Sequence, residues 1–340
     1  MGGVIGLDIG GVNTKALWRD GDAVRTILRP YDVVRDPAAL TTVVSDVLGE
    51  LAGEPAELVA LTMTAELSDE FRTRREGVVF VLDAVEAAVG GRGRLLVLTT
   101  AGELVSPAEA RARPLDVAAA NWVASGLAVG ARYADALMLD VGSTTADVIP
   151  IVAGQVAATG RTDLDRLLAG ELVYTGALRT NLAAIAPRVP VRGRLCPVAS
   201  EWFAISADVH VILGHLAPEA YTCPTPDGRP ASIEFARDRV ARLVCADAEQ
   251  LEPREIDAIA AHLHAEQVRQ VEEAAQLVST CLPDSATPVV TLGVGAFLGR
   301  AVAERLGRPV LDMPWSEAER DMAPAAALAE LAAGRLRVPC

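Results

Sequence analysis

One pattern that occurs twice constrains this chain more than any other feature. Ile5-Gly-Leu-Asp-Ile-Gly-Gly is an apolar run that ends in an acid and a glycine turn, and Met138-Leu-Asp-Val-Gly-Ser-Thr repeats the run, the acid and the turn. In each case an apolar pattern resumes after the turn, at Thr14–Trp18 and at Asp147–Val152. Strand, tight turn and strand is the reading of such a segment. A device that recurs once, about one domain length later, points to a duplicated supersecondary unit rather than to a solenoid.

The intervening sequence fits that unit. Ala23–Leu28 reads as a third strand, and Pro37 opens a helical pattern that ends near Gly53. Leu58–Thr64 reads as a buried strand, Val78–Val89 as a helix, Leu95–Leu98 as a strand and Val117–Ala128 as a helix. After Ala136–Asp140 the pattern restarts, with strands at Asp147–Val152 and Gln155–Thr159. Prolines punctuate residues 160–230, which read as an insertion of loops and short helices. Helices resume at about 231–248 and 253–281, and the strand Val289–Leu292 runs into Gly293-Val-Gly295 and a helix to Leu306. At 340 residues the chain exceeds one core. The expectation is α/β, with two domains of duplicated βββαβα type around a central cleft. Residues 1–130 form the first and 131–321 the second, and a terminal helix at about 322–336 packs back on the first.

A carboxylate at a strand end, beside a turn whose backbone N–H groups are left free by glycine, can hold hydrated Mg²⁺ while the amides hold phosphate oxygens. Two such turns facing each other make a phosphate clamp. Asp8, Gly10, Gly11, Asn13, Thr14 and Lys15 are the candidates in the first, and Asp140, Gly142, Ser143, Thr144, Thr145 and Asp147 in the second, with Asp8 and Asp140 as the metal ligands. Lys15 is the one lysine against thirty arginines. A compact ammonium binds phosphate as a point charge where a guanidinium fork does not fit. With the third turn, Gly293-Val-Gly295, the set resembles the phosphate and nucleotide-side loops of the actin, heat-shock chaperone and sugar-kinase superfamily, whose cores are ribonuclease H-like.

A narrower resemblance lies in Thr62-Met-Thr-Ala-Glu-Leu-Ser-Asp69 with Arg75-Glu76-Gly77, Ala119-Ala-Asn121-Trp122, Asp140–Asp147, and Gly170-Glu-Leu-Val-Tyr-Thr-Gly176 with Arg179-Thr180. Glu201-Trp-Phe-Ala204 with Ala207-Asp208, and Arg242–Asp247, complete it. The set is similar to the tetrahydromethanopterin-linked C1 transfer pathway proteins, related to hydantoinases and oxoprolinases, and spans nearly the whole chain. The resemblance implies a transferase that condenses an arylmethyl or furfuryl-type diphosphate with a phenol, as in methanofuran biosynthesis, and releases pyrophosphate. The partners it implies are small molecules, a phosphorylated or diphosphorylated substrate and a nucleophilic acceptor. Mg²⁺ would be the cofactor, and ATP would not be required.

Asp8, Lys15 and Asp140 then clamp the leaving group, Gly293 and Gly295 stay on the cofactor side, and either Glu66 or Asp69 takes the acceptor's proton. Asn121, Glu171, Tyr174 and Arg179 are the substrate-side candidates, and Trp122 is expected in the core. Two other classes use the same loops: an ATP-dependent kinase or ATP-driven amidohydrolase, and a non-catalytic nucleotide-binding regulatory protein.

Charge and composition narrow the partners. A formal net charge of -14 opposes nucleic acid, which is bound through an excess of Lys and Arg. No apolar stretch approaches a membrane span and no secretory signal opens the chain, so a cytoplasmic protein is expected, its oligomeric state open. Five widely spaced cysteines, Cys340 among them, read as buried free thiols. The four histidines match no zinc spacing.

Overall fold

The computed structural model describes residues 2–51, 56–247 and 249–334. Gly53, Cys340 and the last two positions of the expected terminal helix lie outside the described residues. Strands β1 (Val4–Ile9), β2 (Asn13–Asp20) and β3 (Ala23–Pro30) form an antiparallel meander. After helix Leu40–Leu51, β4 (Leu58–Met63) returns parallel to β1; after helix Arg74–Val89, β5 (Arg94–Leu98) lies parallel to β4, and the short β6 (Leu104–Val105) closes the edge. The second sheet repeats this plan. β7 (Ala136–Val141), β8 (Ala146–Val152) and β9 (Gln155–Val156) are antiparallel, and β10 (Leu172–Val173) flanks β8. A separate hairpin, β11 (Arg188–Val191) and β12 (Arg194–Pro197), lies in the insertion. β13 (Val289–Leu292) then returns parallel to β7, and β14 (Val310–Leu311) parallel to β13. β7, β8 and β13 thus occupy the places of β1, β2 and β4.

Helices cover both faces of both sheets, which is why every residue of β1 and β7 is buried and both read as unbroken apolar runs. Helices Leu40–Leu51 and Arg74–Val89 pack on the outer face of the first sheet, and Pro253–Val278 and Ala296–Arg305 on that of the second. Helices Asn121–Gly130 and Ala323–Ala332 fill the space between the sheets, in one core shared by Val4, Leu17 and Ala60 with Met138, Ile149 and Val290. The terminal helix is almost all alanine and leucine, so its backbone comes close to β1. A Cβ on Gly6 would stand 1.9 Å from the Ala325 carbonyl oxygen, and glycine is required there.

Several elements differ from expectation: the insertion, read as loops and short helices, also holds the β11–β12 hairpin, and the helix expected over about 231–248 spans Ile233–Arg242. The helix expected over Val117–Ala128 is broken: a short helix, Pro114–Val117, ends in Ala119, whose φ of 48° is left-handed, and a new helix starts at Asn121. The break brings Asn121 to a helix N-terminus instead of mid-helix. The strand expected to reach Thr159 stops at Val156, because the Glu171 carboxylate captures the backbone N–H groups of Thr159 and Gly160. His210, His215 and His264 gather around Phe297, and among the described residues no group of three or more His, Cys, Asp or Glu is arranged to hold a metal. The described cysteines are free but not buried as expected: Cys245 and Cys281 are exposed and Cys196 and Cys223 half-buried. No described helix is long and apolar enough to cross a membrane.

Candidate active site

The two turns open on one cleft of about 520 Å³, lined from the first half by residues between Asp8 and Asn121 and from the second by residues between Gly142 and Arg179. They are built alike. The Gly10 N–H donates to Asn13 O and the Gly142 N–H donates to Thr145 O, both at 2.9 Å. The remaining carbonyls are held from behind. Tyr31 N–H donates to Val12 O and Val33 N–H to Gly11 O; in the second turn Ala177 N–H donates to Gly142 O, and the N–H groups of Leu178 and Arg179 both donate to Ser143 O.

With the carbonyls engaged, the N–H groups of Gly11, Val12, Ser143, Thr144 and Thr145 donate to no acceptor among the described residues. Such converging free amides form an anion-binding nest. The ribbon behind the second turn approaches so closely that a Cβ on Gly176 would lie 2.5 Å from the Thr144 backbone. Gln267, Ser206 and Thr180 side chains donate to Gly176 O, and His210 Nδ1 meets Ala177 O at 2.8 Å.

Register decides the charges. Asp8 on β1 is paired with Lys15 on β2, and Asp140 on β7 with Asp147 on β8. Burial pushes the Asp8 carboxyl up to about 6, with Lys15 opposing and Asp147 adding. Asp140 is pushed up to about 7 by burial and then by Asp147, against the pull of Lys15 and of the Ser125 hydroxyl, which donates to its Oδ2 at 3.1 Å. Asp147 is also raised by burial, opposed by Arg166, whose guanidinium donates to its Oδ1 at 2.6 Å. Arg166 is 1% exposed and lies 4.4 Å over the Trp122 ring. A desolvated cation–π contact of this kind contributes about 2 kcal/mol. Trp122 is therefore in the core, as expected, and is also the floor beneath a cleft residue.

Most of the expected site residues meet here. Asp8, Gly10, Gly11, Asn13, Lys15, Glu66, Asp69, Asn121, Gly142, Ser143, Thr144, Thr145, Asp147, Tyr174 and Arg179 all border the cleft. Five do not. Thr14 is fully buried because alternation along β2 turns it to the opposite face from Lys15. Glu171 is spent on Thr159 and Gly160, which makes it a brace rather than a substrate contact. Asp140 is buried behind the lining, between Ser125 and Gly293, and Asp147 stands at the cleft in its place. Gly293 and Gly295 are packed against β7, with their N–H groups donated to Arg320 O and Val141 O. Four further residues were not singled out as site residues. Arg166 and Asp163 border the cleft, Ser125 holds Asp140, and Arg74 reaches across to Asp163 at 2.5 Å. The capping box Thr162-x-x-Asp165 that opens the Arg166 helix is visible in the sequence, but the inward turn of Arg166 is not.

Neither carboxylate oxygen of Glu66 has a hydrogen-bond partner, although the side chain is buried at the cleft wall. Burial pushes this carboxyl up to about 8, offset only in part by the backbone N–H of Glu66, by Arg74 and by the backbone N–H of Ala119. Burial thus favours the protonated form of Glu66.

Comparison with known proteins agrees with this geometry. The chain is 38% identical over 256 residues, 74% of each chain, to the (4-{4-[2-(gamma-L-glutamylamino)ethyl]phenoxymethyl}furan-2-yl)methanamine synthase of Methanocaldococcus jannaschii. A synthase of the same name from Methanococcus vannielii is 40% identical over 115 residues, 34% of this chain and 51% of that one. Among solved structures, nucleotide-free acetone carboxylase superposes with a TM-score of 0.59 at 12% identity, over 95% of this chain and 70% of that one, and so shares the actin-like two-sheet fold. Residues 57–335 match the family model described as hydantoinase/oxoprolinase, and the chain belongs to the hydantoinase/oxoprolinase family.

Proposed function

We propose that this chain is a transferase that joins a furfuryl-type diphosphate to a phenol and releases pyrophosphate. The observation that carries the reading is the pair of amide-lined turns facing one cleft, in a chain 38% identical to a synthase whose product is a furfuryl aryl ether. Five free N–H groups and Lys15 are arranged for the oxygens of a diphosphate, and they act where charge grows as the furfuryl C–O bond breaks. The electron pair of that bond leaves on pyrophosphate, and the phenol oxygen forms the new bond to the same carbon. Its proton passes to a carboxylate. Of the two candidates, Asp69 is exposed at the cleft wall and suits that role, whereas burial holds Glu66 toward its protonated form.

The site fits Mg²⁺. Asp8 has a buried, unpartnered Oδ1 and Asp147 stands nearby on the cleft, and this cation commonly takes one or two carboxylates together with water and substrate phosphates. Bound there, Mg²⁺ would neutralise charge on the leaving diphosphate. The kinase and regulatory readings are less favoured, because the third glycine turn spends the amides of Gly293 and Gly295 within the protein and does not border the cleft.

The test is pyrophosphate release by purified protein given Mg²⁺, an (aminomethyl)furanylmethyl diphosphate and a panel of phenols. Release that depends on the phenol, with the aryl ether found by mass spectrometry, is expected. Turnover of ATP with a hydroxy or amide substrate, and none of the diphosphate, would overturn the reading.

A further inference from the structure

Charge is unbalanced in the cleft. Its lining carries six carboxyl side chains, Asp8, Asp32, Glu66, Asp69, Asp147 and Asp163, against three cationic ones, Lys15, Arg166 and Arg179. A diphosphate entering it adds more negative charge, so the rest of the ligand must bring positive charge or the site must stay partly protonated. One metal ion at Asp8 and Asp147 answers for the diphosphate end. Glu66 is left without an answer.

Glu66 follows β4, in the segment between that strand and helix Arg74–Val89, and is 1% exposed. Both of its oxygens lack a hydrogen-bond partner, and so does Ser68 Oγ two residues further along the same turn. Both residues border the cleft. The one cation that acts on Glu66, Arg74, is already committed to Asp163 at 2.5 Å, and Asp163 itself disfavours a charge on Glu66. The backbone N–H groups of Glu66 and Ala119 offset the burial only in part, and a buried carboxyl short of partners is costly unless a ligand supplies what is missing. The missing groups here are donors with a positive charge. An alkylammonium offers three N–H donors and one charge, which suits two carboxylate oxygens and a hydroxyl.

We infer that Glu66, with Ser68, is the seat for the primary ammonium group of the furan substrate, and so determines the choice of an aminomethyl donor over a neutral one. The inference rests on the transferase reading. The product that names the Methanocaldococcus jannaschii relative carries a methanamine at position 2 of its furan ring and the phenoxymethyl group at position 4. A ligand held by its diphosphate at the two turns and by its ammonium at Glu66 would have its reacting carbon between them. Binding at pH 7 would take the Glu66 carboxyl from neutral to ionised, with its proton released to buffer.

Calorimetry on the full chain with Mg²⁺ and pyrophosphate bound, titrated with furfurylamine and with furfuryl alcohol, tests the seat. The amine should bind at least about tenfold more tightly than the alcohol, the scale of one charge interaction. Its heat should vary with the ionisation enthalpy of the buffer, reporting proton release. Glu66→Gln should abolish the preference and leave pyrophosphate affinity unchanged. Equal affinity for amine and alcohol, or a preference that survives in Glu66→Gln, would each overturn the inference. If the variant does not fold, the wild-type preference for amine over alcohol decides. Equal kcat/KM for aminomethyl and neutral furfuryl diphosphates would remove the seat and leave the transferase standing. An amine preference lost in Glu66→Gln, with no pyrophosphate released from either donor, would remove the transferase and leave the seat.

Discussion

The two glycine turns share a backbone and differ in charge. Each begins at the end of a buried central strand, each closes with one N–H to carbonyl bond across the turn, and each has its carbonyls held from behind so that its amides are free. The position opposite the strand-end acid is Lys15 in the first and Asp147 in the second. In the first turn, acid and ammonium both stay at the cleft. In the second, two carboxylates would compete for it; Asp147 keeps the place with Arg166 as its counter-ion, and Asp140 withdraws behind it with Ser125. Duplication preserves the hydrogen-bonding frame, which the backbone dictates. The charge at each cross-strand position is free to change, and with it the chemistry.

That contrast can be broken most forcefully at Arg166. Arg166→Met leaves Asp147 buried without its partner, and removal of one member of a buried ion pair costs about 3–5 kcal/mol. Chemical denaturation should show a loss of that order, and a loss no larger than that of an exposed pair would mean that Arg166 does not sustain the second turn. The next effect is catalytic. Asp8→Asn should lower turnover at least about 100-fold, the scale of losing one preorganised electrostatic contact to the leaving group, whereas Asp140→Asn, behind the lining, should cost less than about 10-fold. Equal losses would return Asp140 to the cleft.

The same Asp140→Asn variant has a signature in stability. A carboxyl whose folded pKa is raised to about 7 contributes most below the unfolded value near 3.8, and that contribution is lost as pH rises through 7. Thermal melting of the wild type should therefore decline between about pH 4 and 7, and the variant should decline less. Lys15→Ala sharpens the first turn with the smallest effect, about a tenfold loss of turnover or roughly 1.4 kcal/mol, with little change in melting temperature. Unchanged kinetics would make Lys15 a spectator.

Much of this was legible in the linear pattern because the responsible forces are local. Unbroken apolar runs at Val4–Asp8 and Ala136–Asp140 announced strands buried on both faces, and the glycine turns announced where backbone amides would be free. Thr14 misled because it lies within the turn motif; side-chain alternation on β2 sends it inward while its neighbour Lys15 faces the cleft. Glu171 misled because its partners, Thr159 and Gly160, end a strand that the apolar pattern had extended through them. The helix break at Ala119 had no local warning either: alanine favours helix, yet Ala119 takes a left-handed φ at the cleft wall.

The sequence by itself determined the duplicated strand-and-turn plan, the two glycine turns that face the cleft and the placement of Asp8 and Lys15 at the first of them, since periodicity, glycine and cross-strand register act over a few residues. Tertiary structure alone decided that Asp147 and not Asp140 meets the cleft, that Arg166 crosses over Trp122 to hold it, and that Glu66 is left buried without a partner. The physical reason is that desolvation and charge compensation depend on which distant segments share a space, and that is settled only when both sheets and the helices between them have packed.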